Sequence, residues 1–237
     1  MNELNIIYED NDLILCHKPA GVATQTRRFG QQDMESLLKN YRAKKGEPPY
    51  IGIIHRLDQP VEGLMVFAKN QKAAASLSKQ VQQHMIGKHY YAVSTNAPAE
   101  KEGVLEDYLL TDKKTNFTQV IDVKGTNGSA ADIPKDAKKA KLEYKVIGEQ
   151  ENRTLFDIKL HTGRQHQIRV QLANIGCPLI GDSKYGVSQI ADNKQVSARD
   201  SLALCSYRLN FTHPTTGEKM DYRIKPQGRV FQEKRYS

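Results

Sequence analysis

Ile51-Gly52-Ile53-Ile54-His55-Arg56-Leu57-Asp58-Gln59-Pro60-Val61-Glu62-Gly63-Leu64-Met65-Val66-Phe67-Ala68-Lys69 sets an apolar run on each side of a short polar stretch. Both runs are short and bounded by polar or turn-forming residues, so they read as buried strands. A loop held by a strand at each end suits a catalytic group, because its position is fixed from both sides. Asp58 stands where the first strand has just ended, before Gln59-Pro60. Taken alone, an Arg-x-Asp at such a place more often caps a turn beside a solvated arginine than performs chemistry.

Outward from this stretch the chain is mostly strands with a few helices inserted. Residues 6–8 and 13–16 read as strands about a polar turn, and Lys18-Pro19-Ala20-Gly21 starts a loop. Asp33 caps a helix running to about residue 45, with Leu37, Leu38 and Tyr41 on one face and Gly46 ending it. Asn70 caps a second, in which Leu77, Val81 and Met85 share a face and Gly87 stands at the C-terminus. Strands are expected at 90–94, 105–110, 119–123, 141–147 and 154–160, with polar loops at 125–139 and 186–200. A third helix follows Gly163, with Ile168, Leu172 and Ile175 on one face and Gly176 closing it. Ala203, Cys205, Tyr207, Leu209 and Phe211 then alternate with mostly polar residues. Pro214-Thr215-Thr216-Gly217 turns the chain into a second strand bearing Met220, Tyr222 and Ile224. The order predicts an α+β fold, a single domain over residues 1–237 with a mixed, mainly antiparallel sheet flanked by helices and loops.

The composition, 38% hydrophobic and 26% charged, is that of a soluble globular chain rather than a disordered one. No apolar run approaches the ~20 residues of a membrane span, and the N-terminus has no secretory pattern. A cytoplasmic location is therefore expected. Cys16, Cys177 and Cys205 are widely spaced among apolar neighbours and read as buried reduced thiols. The net charge of +8 favours a polyanionic partner.

A second candidate segment is His161-Thr162-Gly163-Arg164-Gln165-His166-Gln167-Ile168-Arg169-Val170, at a strand-to-helix junction. Amides at a helix start beside Arg and His make a natural place for phosphate or carboxylate. Arg164 and Arg169 need not share a face, so one can meet RNA while the other points inward. His84 and His89, like His161 and His166, are five apart, which is not the spacing of a helical zinc site. With no Cys-x-x-Cys pair, phosphate-binding Gly-rich loop or Gly-x-Ser-x-Gly elbow, neither a metal nor a nucleotide cofactor is expected.

Together these segments resemble the RluA-type family of RNA pseudouridine synthases. His55-Arg56-Leu57-Asp58, followed by Gly63 and Ala68-Lys69, is similar to the family's catalytic segment. Lys88-His89-Tyr90-Tyr91-Ala92-Val93 is similar to its tyrosine strand. Gly163 to Arg169, continuing to Gly181-Asp182-Ser183-Lys184-Tyr185-Gly186, resembles its arginine-bearing segment. Leu202-Ala203 through His213-Pro214 looks like its late core strand, and Lys18-Pro19-Ala20-Gly21 matches an early loop. The ordered set spans nearly the whole chain. One departure lies beside the aspartate, where the family usually has Arg-Asp-Thr-Ser-Gly and this chain has Gln59-Pro60-Val61-Glu62-Gly63. The family also often carries an extra N-terminal RNA-binding module, and none is expected here.

The resemblance implies a pseudouridine synthase fold and a cofactor-free isomerisation of uridine in ribosomal RNA or tRNA; the sequence does not encode the oligomeric state, and a monomer is the default expectation. The resemblance also implies that Asp58 is the catalytic carboxylate, that Arg169 is its ion-pair partner, and that Tyr90 stacks on the uracil. Arg56 would fill the space left by the flipped base, and Arg164, His166 and the lysines of 135–145 would contact phosphates. Two other readings stand beside it. One is a non-catalytic RNA-binding or ribosome assembly protein on the same fold. The other is a glycosidase using Glu62 as a second acid.

Overall fold

A computed structural model of the chain describes residues 4–26, 30–122, 133–150, 153–186 and 201–232. The chain packs as two compact units that interleave in sequence. One is Met1–Lys88 with Cys205–Gly228, the other His89–Leu204 with Arg229–Ser237.

In the first unit β1 (Asn5–Glu9) and β2 (Leu13–Lys18) pair antiparallel. Asp10 closes the turn between them by accepting from the amides of Asp12 and Leu13 at 2.8 and 2.9 Å. β2 runs antiparallel to β4 (Glu62–Ala68), and β3 (Gly52–Ile53) adds a short antiparallel pairing at the far end of β4. β10 (Leu204–Thr212) pairs with β4 in parallel, and β11 (Lys219–Arg223) returns antiparallel on β10. Every residue of β2 and β4 is buried, which is why both read as continuous apolar runs rather than alternating ones. Lys18 is a departure from expectation: it ends β2 instead of opening a loop.

Two capped helices cover this sheet. α1 (Met34–Lys44) starts at Asp33, whose carboxylate accepts from the Ser36 amide while the Ser36 hydroxyl oxygen accepts from the Asp33 amide. α2 (Gln71–Gln82) starts at Asn70, which accepts from the Ala73 amide. Ala73 and Leu77 on α2 pack into the core of Leu13, Leu64, Val66 and Leu209. α2 ends sooner than its apolar spacing suggests. His84 adopts the left-handed conformation (φ 56°), so the chain leaves the helical path, Met85 is 55% exposed, and Gly87 opens the next strand.

In the second unit the lateral order is β5 (Gly87–Ser94), β9 (Arg153–Leu160), β8 (Lys138–Gln150), β6 (Glu102–Asp112) and β7 (Phe117–Ile121). The pairs β8/β9, β6/β8 and β6/β7 are antiparallel. α3 (Gln167–Asn174) is the expected third helix, and its Val170 packs with Leu109 and Ala140. α4 (Arg229–Gln232), too short to leave a period in the sequence, seats Val230 against Val93, Ile180 and Ala203. Of the expected polar loops, residues 125–132 and 187–200 lie outside the described residues, and Lys138 already belongs to β8. The architecture is the expected α+β arrangement, mixed and mainly antiparallel. The three cysteines are buried and unbridged. No described helix is long and apolar enough to cross a membrane.

Gly63 is where β4 meets β10. Its φ is +132°, and a Cβ there would lie 2.5 Å from both the amide nitrogen and the carbonyl oxygen of Ser206. Gly63→Ala is expected to cost more than about 3 kcal/mol, read as a lowered urea midpoint. Gly217→Ala, also at positive φ (+76°) but in open space, should cost only about 1 kcal/mol. Equal midpoints for the two variants would contradict the close crossing.

Candidate active site

The first unit holds Asp58 and Arg56 on the connection between β3 and β4. His55, just before them, takes over a stretch of β4's edge. β10 pairs with β4 only at Glu62 and Gly63, and β3 only at Phe67 and Ala68. Between these contacts the Val66 amide donates to His55 Nε2 at 3.2 Å. The acceptor role places the proton on Nδ1 of a neutral ring. Burial, with the charge of Lys88 adding to it, pushes His55 down to about 3, so it stays neutral at any working pH.

Leu57 is buried and fixed by Thr24, whose hydroxyl donates to Leu57 O (3.0 Å) and accepts from Leu57 N (3.2 Å). Arg56 is exposed and Asp58 half-buried. Beyond Asp58 the Val61 amide donates to Asp58 O at 3.0 Å, closing a four-residue turn. The turn is tied to the loop after β2. Gly21 N donates to Gln59 O (2.8 Å), and Gln59 Nε2 donates back to Gly21 O (3.0 Å).

Lys18 lies under this junction with no solvent exposure. Its Nζ donates to the carbonyls of Pro19 (3.1 Å), Val22 (2.6 Å) and Gln59 (3.1 Å), which engages all three ammonium protons. Burial pulls its pKa down to about 8, while attraction to Asp58 and Glu62 works the other way. Glu62, the candidate second acid, points inward at 5% exposure. Its oxygens accept from the amides of Gln227 (3.0 and 3.2 Å) and Gly228 (2.8 Å), and His17 Nε2 lies 3.4 Å away. Burial alone would raise this carboxyl. His17 and the two amides outweigh it and hold it below the ordinary range. A carboxylate so engaged is structural, which removes the support for a two-acid glycosidase.

The second unit holds Tyr90, Arg164, His166 and Arg169. Tyr90 is on β5 and 5% exposed. Arg164 is exposed, with Nε donating to Lys139 O at 2.9 Å, whereas Arg169 is 4% exposed. The two arginines therefore do point to different environments. Arg169 Nε donates to Asp182 Oδ2 (2.8 Å) and Nη2 to Oδ1 (2.7 Å), a buried bidentate pair. Its guanidinium also stands 5.2 Å from the centre of the Tyr185 ring. His166, expected as an RNA contact, is 8% exposed, and its Nδ1 lies 2.8 Å from the Tyr185 hydroxyl. Lys139 and Lys141 pair with Glu106, and Lys145 with Glu102, so part of the basic stretch already faces carboxylates.

The sequence alone marks no role for Lys18, Asp182 or Tyr185. Nothing in spacing marks Asp182 as the partner of an arginine 13 positions earlier. A glutamate or lysine at a strand end normally reads as solvated, so Glu62 and Lys18 gave no sign of being buried.

Residues 12–174 match the family model described as RNA pseudouridylate synthase. An uncharacterized RNA pseudouridine synthase of Bacillus subtilis, YhcT, is 32% identical over 219 residues, covering 91% of this chain and 66% of that protein. A protein of Nitrosomonas europaea named ribosomal large subunit pseudouridine synthase D is 33% identical over 219 residues, covering 91% and 60%. The chain thus spans about two thirds of the length of such relatives. The solved structure of human RNA pseudouridylate synthase domain containing 4 has the same fold, with a TM-score of 0.76 at 21% identity over 96% of this chain and 90% of that one.

Asp182→Asn is expected to destabilise the chain by about 3–5 kcal/mol at neutral pH, the usual cost of stranding one member of a buried ion pair. Burial would raise the Asp182 carboxyl, but Arg169 and the amides of Lys184 and Tyr185 hold it below its ordinary value. Its contribution is then present above the unfolded value of about 3.9 and lost as pH falls through the lower native one. Urea unfolding against pH should show a gap between wild type and variant that persists down to about pH 4 and closes below it. A gap that widens on acidification would contradict the pairing.

Proposed function

Because the chain belongs to the RluA-type family of RNA pseudouridylate synthases, an isomerase class, we propose that it converts uridine to pseudouridine with Asp58 as its catalytic carboxylate. The observation that carries the assignment is the fixing of the Asp58 turn from both sides. Leu57 is held by Thr24 before it, and Gln59 is held by Gly21 and Lys18 after it. A reacting carboxylate needs that precision, since a misplacement of about 1 Å can cost 100-fold in rate.

The reaction breaks the bond between ribose C1′ and uracil N1, turns the base, and joins C1′ to C5. The hydrogen leaving C5 is balanced by one gained at N1, so no oxidant, reductant or metal is required. Asp58 attacks C1′ or stabilises an oxocarbenium-like centre there, and must be ionised for either role. Tyr90 stacks on the uracil. Arg169, held in orientation by Asp182, supplies the positive charge that favours an ionised carboxylate. Arg56 and Arg164, both exposed, are the proposed RNA contacts, whereas His166, 8% exposed and held at the Tyr185 hydroxyl, is better placed to brace Tyr185 than to meet RNA. Exposed Arg56 fills the stack that the target base has left, since its planar guanidinium stacks and hydrogen-bonds together. Ribosomal RNA is favoured over tRNA because the Nitrosomonas relative is named a ribosomal large subunit pseudouridine synthase. The enzyme is proposed to act as a cytoplasmic monomer.

Mapping of pseudouridine in unmodified ribosomal RNA and bulk tRNA, after incubation with wild type or Asp58→Asn, tests this reading. A site made only by the wild type is expected. No new site in either pool would favour a non-catalytic RNA binder. On the mapped substrate, Arg56→Ala should weaken RNA binding by about tenfold, as expected for losing roughly 1.4 kcal/mol. Its single-turnover rate at saturating enzyme should be unchanged. Unaltered binding would contradict the base-replacing role.

A further inference from the structure

The departure from the family pattern after Asp58 leaves Glu62 where a serine is usual, and the structure gives this glutamate a specific engagement. After β11 the chain follows β10 as far as Ile224, whose amide donates to Tyr207 O at 2.9 Å. The next residues pass Glu62, and the amides of Gln227 and Gly228 both donate to its carboxylate within 3.2 Å. A serine offers one oxygen on a shorter side chain and could not accept these contacts together. Burying a carboxylate at 5% exposure is costly unless it is well satisfied, and here the amides of Gln227 and Gly228 supply the hydrogen bonds, with His17 Nε2 3.4 Å away.

The location gives the engagement its consequence. Glu62 directly follows the turn closed by Val61 N and Asp58 O, and it opens the strand whose next residue, Gly63, crosses Ser206 with no room to shift. On the entry side the turn is held by Thr24, and from beneath by Lys18. Gly21 and Lys18 hold Gln59 just after Asp58, and Glu62 adds a further hold where the turn passes into β4. Its negative charge also acts on Lys18 beneath the same turn.

We propose that Glu62 is a positioning residue for Asp58, gripping the amides of Gln227 and Gly228 so that the exit of the catalytic turn is as firmly fixed as its entry. This rests on Asp58 acting as proposed above. Glu62→Gln keeps the size but turns one acceptor into a donor facing amide donors. Glu62→Asp keeps the charge and shortens the reach.

The test compares wild type, Asp58→Asn, Glu62→Gln and Glu62→Asp on the mapped RNA, at a temperature where melting curves show each chain folded. RNA binding and the single-turnover rate at saturating enzyme are measured separately. Glu62→Gln should lose about tenfold or more in rate with binding within twofold of wild type, and Glu62→Asp should fall between them. Amide exchange in Glu62→Gln should show Gln227 and Gly228 losing protection while the β10–β11 hairpin keeps it. Wild-type rates for a folded Glu62→Gln beside an inactive Asp58→Asn would overturn this proposal alone, as would a loss confined to binding. If Glu62→Gln does not fold, wild-type rate in Glu62→Asp overturns it. An inactive wild type, or a fully active Asp58→Asn, would overturn the function and this proposal together.

Discussion

Lys18 carries its charge where there is no solvent, and three backbone carbonyls take its three protons. Two of them, from Pro19 and Val22, belong to the loop after β2, and the third, from Gln59, belongs to the turn that follows Asp58. One ammonium thus joins the two segments that frame the candidate carboxylate. The arrangement costs free energy, as its proton affinity shows: burial lowers the pKa to about 8 despite the pull of Asp58 and Glu62. Between that value and the unfolded value of about 10.4 the native state binds fewer protons than the unfolded one, so stability rises with pH there. Below about 8 the fold carries the cost of the charge, and gains in return a cation fixed beneath Asp58.

The rest of the first unit makes that junction rigid. β4 is buried along its whole length between β2 and a composite edge made of β10, His55 and β3. Such an edge leaves little freedom to the connection between β3 and β4, where Asp58 lies. In the second unit the same logic operates through a different pair. Asp182 fixes two nitrogens of Arg169, and Tyr185 receives its guanidinium on one face and His166 at its hydroxyl. Both units place a charged group in low-dielectric surroundings and satisfy it with oriented partners, which is how a site is organised before substrate arrives.

Much of the fold was legible because its signals are local. The apolar runs of β2 and β4 and the caps Asp33 and Asn70 are each written within a few neighbouring residues. Boundaries failed where a single residue's conformation decides them, as at His84. The candidate site was legible in its exposed or motif-bearing members, Arg56, Asp58, Arg164 and Arg169, through an ordered resemblance rather than through any one spacing. Its supporting groups were not. Lys18, Glu62 and Asp182 are charged residues whose ordinary place is solvent, and their burial follows from partners up to 166 positions away. No periodicity encodes such a pairing.

The most direct test of the chemistry is a single-turnover assay on target RNA carrying a hydrogen isotope at uracil C5, with free uracil measured in the same sample. Isomerisation through Asp58 predicts that wild type releases the C5 label to water, with the base retained in the RNA, and that folded Asp58→Asn releases none. Free uracil accumulating in place of label release, or label release undiminished in Asp58→Asn, would contradict it.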